Sequence, residues 1–113
     1  MQCGECASPL DRPGDYCLVC RTTNADTVVL ELGRSRATVA VLDGDDVVGR
    51  RTVTTTPETD GERARSELRS FAGQVAEEVH RKRPEEVYAT GDRGVLRAVQ
   101  GELHYPLYRI DAD

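Results

Sequence analysis

Hydrophobic and polar positions change period along this chain, and the changes mark out its elements. Thr27 to Leu32 (TVVLEL) is a short, β-branched, largely apolar run. Such a run reads as a strand buried on both faces. GRSR (Gly33–Arg36) makes a turn, and ATVAVL (Ala37–Leu42) is a second strand. DGDD (Asp43–Asp46) is a hairpin signal, because Gly and Asp tolerate the positive φ of tight hairpin turns. VVGRRTVTTT (Val47–Thr56) is a third strand with Arg50, Thr52, Thr54 and Thr56 on one face, a polarity that suits a sheet edge. Pro57 ends it. Thr59 and Glu62 have the T-x-x-E spacing of a capping box. After them Ala64, Leu68, Phe71, Val75 and Val79 recur at three- and four-residue steps, the apolar stripe of an amphipathic helix. That helix runs into His80-Arg81-Lys82-Arg83, where cations favour the C-terminal dipole, and Pro84 stops it. EVYAT (Glu86–Thr90) is a fourth strand. GDRG (Gly91–Gly94) leads into a short helix from Val95 to about Glu102, with Leu96 and Val99 inward. YPLYRI (Tyr105–Ile110) carries a last strand, near 106–110.

The order is βββαβαβ, so the fold class is α/β with an α+β-like meander. Three strands meander, and two right-handed crossovers then add parallel strands. The expected five-stranded mixed sheet has the order 3-2-1-4-5. No internal repeat or low-complexity segment interrupts it.

The first residues follow another logic. In MQCGECASPLDRPGDYCLVCR, Cys3 and Cys6 form one CxxC and Cys17 and Cys20 a second. Each pair can turn around one metal ion and offer two thiolates. Two such knuckles complete a four-thiolate shell with no open position, as in structural zinc sites. Pro9, Pro13 and Gly14 lie between them and suit a hairpin that brings the knuckles together. Arg12 and Arg21 are placed to offset the charge of four thiolates. The segment resembles the short zinc ribbons, with Leu10 and Tyr16 at their small apolar positions. Ala7 and Arg21 stand where that pattern carries Gly after the second Cys. An iron–sulfur or redox dithiol site is the competing reading. RTTNAD (Arg21–Asp26) reads as a linker, giving a zinc ribbon over 1–24 and an α/β domain over 25–113, with one structural Zn2+.

Composition narrows the context. The chain has 113 residues, 38% hydrophobic and 31% charged, which is globular in character. All four cysteines lie in the first 20 residues, so the remainder must fold on one small hydrophobic core. Net charge is −5, and Lys82 is the single lysine among 15 Lys and Arg residues. Acidity with Arg in place of Lys resembles a salt-adapted, halophilic archaeal proteome. Acidity normally argues against nucleic-acid binding. In a high-salt cytoplasm it is background, and local Arg clusters carry more meaning. No apolar stretch approaches the roughly 20 residues of a membrane helix, and the N-terminus has no signal-like segment. The expectation is a soluble, cytoplasmic protein with no membrane partner, in a compartment that keeps thiols reduced.

The strand order, with VLELGRSRATVAVLDGDDVVGRRTV and VYATGDRGVLRAVQGELHYPLYRID, resembles the RNase H-like superfold of sugar kinases, actin-like ATPases and Holliday-junction resolvases. Together with the ribbon it resembles a small archaeal family of predicted metal-binding proteins of unknown function. The resemblance implies an acid on strand one, here Glu31, followed by a Gly turn at Gly33. A nuclease of this fold needs carboxylates converging on two metals. The candidates are Glu31, Asp92 and Asp111, all expected at the C-terminal edge of the sheet, where such folds bind ligands. As ordinary residues they would cap a turn, start a helix and sit in a solvated tail. The GDRG turn with its helix N-terminus could hold an anion, which, with GRSR, would suit a nucleotide or phosphate-metabolite sensor. His80 reads as a dipole partner and His104 as a surface residue. The leading reading is a non-enzymatic interaction module. Its ribbon would contact RNA, the ribosome or a protein complex through arginines, with Arg50, Arg51, Arg81, Lys82 and Arg83 as the binding candidates. Oligomeric state stays open.

Overall fold

Alternation in the valine-rich runs builds a sheet whose two faces differ. The computed structural model describes residues 3–4, 6–10, 16–21, 25–57 and 59–110. Strands β1 (Thr27–Leu32), β2 (Arg36–Asp43) and β3 (Asp46–Thr54) form an antiparallel meander. Helix α1 (Gly61–Lys82) then crosses to β4 (Glu86–Gly91), and helix α2 (Arg93–Glu102) crosses to β5 (Leu107–Arg109). The sheet order is β3-β2-β1-β4-β5, with β1, β4 and β5 mutually parallel, as the sequence predicts.

Turn chemistry fixes the register. Gly44 adopts φ 64° between paired Asp43 and Asp46 and donates its N–H to Asp26 Oδ2 at 3.0 Å. Val48 is skipped in the β2–β3 pairing, a bulge that shortens the regular edge. At the far end of β4, Gly91 has φ 117°, and a Cβ there would lie 2.0 Å from the Leu32 carbonyl oxygen. Only glycine lets β4 pass β1 that closely and turn into α2.

Both crossovers advance in the same direction across the sheet, so right-handed connections place both helices on one face. Burial follows. Val28, Leu30 and Leu32 of β1 are buried, whereas Thr27 and Val29 are half-buried and Glu31 is exposed. The expectation that TVVLEL is buried on both faces is therefore corrected: one face is covered and the other, among the described residues, is not. The core joins the covered face to Phe71, Val75 and Val79 of α1 and Val95 and Val99 of α2. The helices also pack on each other.

The helix ends refine the expected boundaries. Ala64 donates its N–H to the Asp60 carbonyl, making Asp60 the N-cap of α1 and leaving Thr59 outside. Glu62 then stands at the second helical position and not the third, so the Thr59–Glu62 capping box does not form. Helix α2 starts at Arg93, two residues earlier than expected, because Asp92 caps it: its Oδ1 accepts the Val95 N–H at 3.0 Å. At the other end of α1, Arg83 takes a left-handed C-cap conformation and Pro84 follows. Asp111, Arg12, Pro13 and Gly14 lie outside the described residues.

Candidate metal centre and its surroundings

The four cysteines converge. All four Sγ atoms lie within 4.8 Å of one another, with Cys3–Cys20 at 3.5 Å and Cys6–Cys17 at 3.6 Å. Four sulfurs at about 2.3 Å from a tetrahedral ion would lie roughly 3.8 Å apart, so the cluster has the size of a metal shell. The same separations are far beyond the roughly 2.05 Å of a disulfide, and the four thiols are free. Cys3 and Cys17 are buried, while Cys6 and Cys20 face solvent.

Each CxxC closes as a knuckle. The Cys3 N–H donates to the Ser8 carbonyl, and the Ala7 N–H to the Cys3 carbonyl, both at 2.9 Å. Ala7 and Arg21, directly after the second cysteine of each pair, have φ of 60° and 57°. The chain enters the left-handed region at both positions without glycine, a conformation that costs an L-residue roughly 1–2 kcal/mol. Cys6 Sγ lies 3.2 Å from the Ser8 hydroxyl. Hydrogen bonds from the side chain and backbone of Ser8 hold the Cys6 thiol below its ordinary pKa, which favours the thiolate a metal requires.

The cysteine segment is docked on the end of α1. The last carbonyls of a helix lack partners within it, and here the Tyr16 N–H donates to the Arg81 carbonyl at 3.0 Å. The Arg83 guanidinium sits 4.2 Å from the centre of the Tyr16 ring, a cation–π contact. Between segment and helix runs a groove of about 330 Å3 walled by Leu10, Tyr16 and Cys17 on one side and His80, Arg81 and Arg83 on the other. At its rim Leu18 and Val19, the two residues inside the second CxxC, are 77% and 75% exposed. Behind the groove His80 stacks on His104 at 4.6 Å and accepts the His104 backbone N–H at 3.2 Å. Burial, and then the nearby His104, push the His80 pKa down.

The other candidate residues do not share one surface. Arg50 is exposed on the uncovered sheet face. Arg51 points to the helix face and pairs with Glu78 of α1 at 3.1 Å. Lys82 is only 3% exposed, and Arg81 is half-buried. Arg34 of the GRSR turn forms a two-pronged pair with Glu67, which also accepts the Thr55 hydroxyl at 2.7 Å. Glu31 is exposed beside Thr90 of β4, while the Asp92 carboxylate serves the α2 cap. Among the described residues the cysteines are the one group of three or more potential ligands brought together. The Tyr16–Arg83 and His80–His104 contacts had no signal in the sequence, because each joins residues far apart in the chain. The carboxylates of Glu67 and Glu78 were equally silent, being two among the 20 acids of the chain.

No family model matches the chain. No curated protein matches it. Among solved structures it is similar to Thermus thermophilus RuvC in complex with Holliday junction substrate, at 17% identity and a TM-score of 0.50, over 76% of this chain and 62% of RuvC. It is also similar to the T. thermophilus RuvC structure (16%, TM-score 0.46, 74% and 59%) and to ROK hexokinase from Thermus thermophilus (19%, TM-score 0.47, 74% and 34%). The chain thus spans under two thirds of each. The likeness to the RuvC complex is one of fold, a five-stranded mixed sheet of the RNase H-like kind. In this chain the sheet follows four cysteines whose sulfurs are close enough together to hold a metal ion. No helix among the described residues is long and apolar enough to cross a membrane.

Proposed function

We propose that this protein is a zinc-binding interaction module without catalysis of its own, with its ribbon, residues 1–24, held against the α/β domain, residues 25–113, to meet RNA, the ribosome or a protein complex. The observation that carries this reading is the convergence of four thiol sulfurs within 4.8 Å. Four cysteines of this spacing suit zinc, and a shell filled by thiolates leaves no position for a substrate, so the ion is structural. A reducing cytoplasm is the compartment in which such thiols bind metal in place of oxidising. Arg-rich, Lys-poor acidity fits a halophilic archaeal setting, where contacts must be short-ranged because salt screens the rest. The exposed Leu18 and Val19 beside the groove cations Arg81 and Arg83 supply such contacts.

Elemental analysis of protein purified without added metal should give one zinc per chain. Iron with sulfide would overturn the metal assignment. Crosslinking in the native host, followed by RNA sequencing and mass spectrometry, should recover a defined partner that L18S/V19S loses. Recovery unchanged by that pair would remove the ribbon from the interface. The second reading is a metal-dependent nuclease, favoured by Glu31 standing exposed near the C-terminal end of β1 in an RNase H-like sheet. Against it, Asp92 is committed to a helix cap. Assays with magnesium and manganese at host-like salt should show no cleavage that Glu31→Gln abolishes. For the sensor reading, Arg34 of GRSR is held by Glu67, whereas Arg36 and Arg93 of the two turns are exposed.

A further inference from the structure

The sheet face opposite the helices has no covering layer among the described residues, yet it is not composed like a solvated surface. Register places Arg50, Ala40, Val29, Tyr88 and Tyr108 in one line across it, from β3 to β5. Leu42 flanks the line beside Thr27. Val29, Ala40, Leu42 and Tyr88 are already half-buried within one chain, while Tyr108 and Ile110 remain 52% and 40% exposed. The Tyr88 and Tyr108 rings lie 5.7 Å apart.

Charge on this face is divided. The cations Arg36 and Arg50 lie on β2 and β3, and the carboxylates Glu31 and Glu86 on β1 and β4. The Tyr88 hydroxyl donates to Glu86 at 2.5 Å, forming a ring-plus-carboxylate unit. Arg50 cannot reach that unit in its own chain, because β3 and β4 are three strand spacings apart, about 14 Å. A face with an apolar middle, cations on one half and carboxylates on the other is complementary to itself.

We propose that this open face is the interface with a second copy of the chain, the two sheets packing face to face about a two-fold axis that runs along the strands between β1 and β2. That operation lays β3 of each copy over β4 of the other. It puts Arg50 over the partner copy's Tyr88–Glu86 unit and Ala40 over its Val29. Aligned sheets packing at about 10 Å are the ordinary way for such faces to be buried. The described residues of the ribbon, docked at the C-terminal end of α1 on the helix side, leave this face clear. The proposal is independent of what the ribbon binds.

Sedimentation of the zinc-loaded full chain at host-like salt, from about 1 to about 100 µM, should show a monomer–dimer equilibrium. Arg50→Glu and Glu86→Arg should each raise the dissociation constant at least about tenfold, by setting like charges together across the interface. The double variant R50E/E86R should return towards the wild-type value, a rescue that no contact within one chain can produce over that distance. Circular dichroism and zinc content should be unchanged in all three. A monomer throughout the range overturns the proposal and leaves the face to a different macromolecule. A dimer indifferent to both single reversals also overturns it, since the copies would then meet elsewhere.

Discussion

Ala7 and Arg21 show how far the turn of a CxxC pair constrains backbone. Both sit just after the second cysteine of a knuckle, and both are held at positive φ, at 60° and 57°. No side-chain requirement at Ala7 explains the absence of glycine. Glycine there would remove the Cβ penalty of roughly 1–2 kcal/mol, less the roughly 0.5–1 kcal/mol it loses in chain entropy. Ala7→Gly should therefore tighten metal binding modestly, by up to about 1.5 kcal/mol in a chelator competition. Weaker binding would mean that Ala7 makes a contact the backbone geometry does not account for. Phe71 is the opposite case, a residue fixed by packing alone. It is the single phenylalanine of the chain and only 1% exposed, in the cluster where α1 meets the sheet. Phe71→Ala should cost about 3–5 kcal/mol in denaturant unfolding, because the surrounding strands cannot collapse into the space.

At the scale of elements, legibility followed the range of the interactions. Strands with alternating or β-branched runs were readable to within one or two residues, as for β1 at Thr27–Leu32 and β4 at Glu86–Gly91. Their identity is set by neighbours two positions away. The start of α1 was misread, because Thr59–Glu62 carries the spacing of a box, while the first helical hydrogen bond falls one residue later, at Asp60. The four cysteines were legible because metal chemistry needs a set spacing. The docking of their segment on α1 was not, since it joins Tyr16 to Arg81 and Arg83 across more than 60 residues. One such long-range contact has a pH signature. His80 is kept from protonating first by burial and then by His104, so its folded pKa lies below the usual 6.5. As pH falls below that value the unfolded chain takes up the proton before the folded one does, so stability drops over the window from 6.5 down to the folded value. His80→Gln should flatten the fall in melting temperature between about pH 7 and about pH 5.5 relative to wild type. An identical slope would place the acid sensitivity elsewhere, in the thiolates above all.

For the whole molecule the question is whether ribbon and α/β domain stand or fall together. The hydrophobic core runs from Ala25 to Val99 and contains no cysteine. The ribbon, in contrast, has little apolar interior: Leu18 and Val19 point outward, and Cys3 and Cys17 are its buried side chains among the described residues. On the proposed metal-binding reading its folding free energy comes largely from the ion, since a segment so short cannot bury enough surface to offset its chain entropy. Cys3→Ser should therefore release the ion and unfold residues 1–24, and chelation of the wild type should do the same. The sheet and both helices should persist, with a cooperative unfolding transition carried by the core. They should not be untouched. The ribbon satisfies the Arg81 carbonyl through Tyr16 and lays the Tyr16 ring against Arg83, so its loss uncaps the last turn of α1. Replacing a lost cap hydrogen bond with water costs about 1 kcal/mol, which for a domain of this size is a fall of about 4–8 °C in melting temperature. Amide exchange should quicken at residues 79–83 and stay slow through Phe71 and Val75. Collapse of the entire far-ultraviolet signal on metal removal would show instead that the two parts form one cooperative unit, with the ion as the keystone of both.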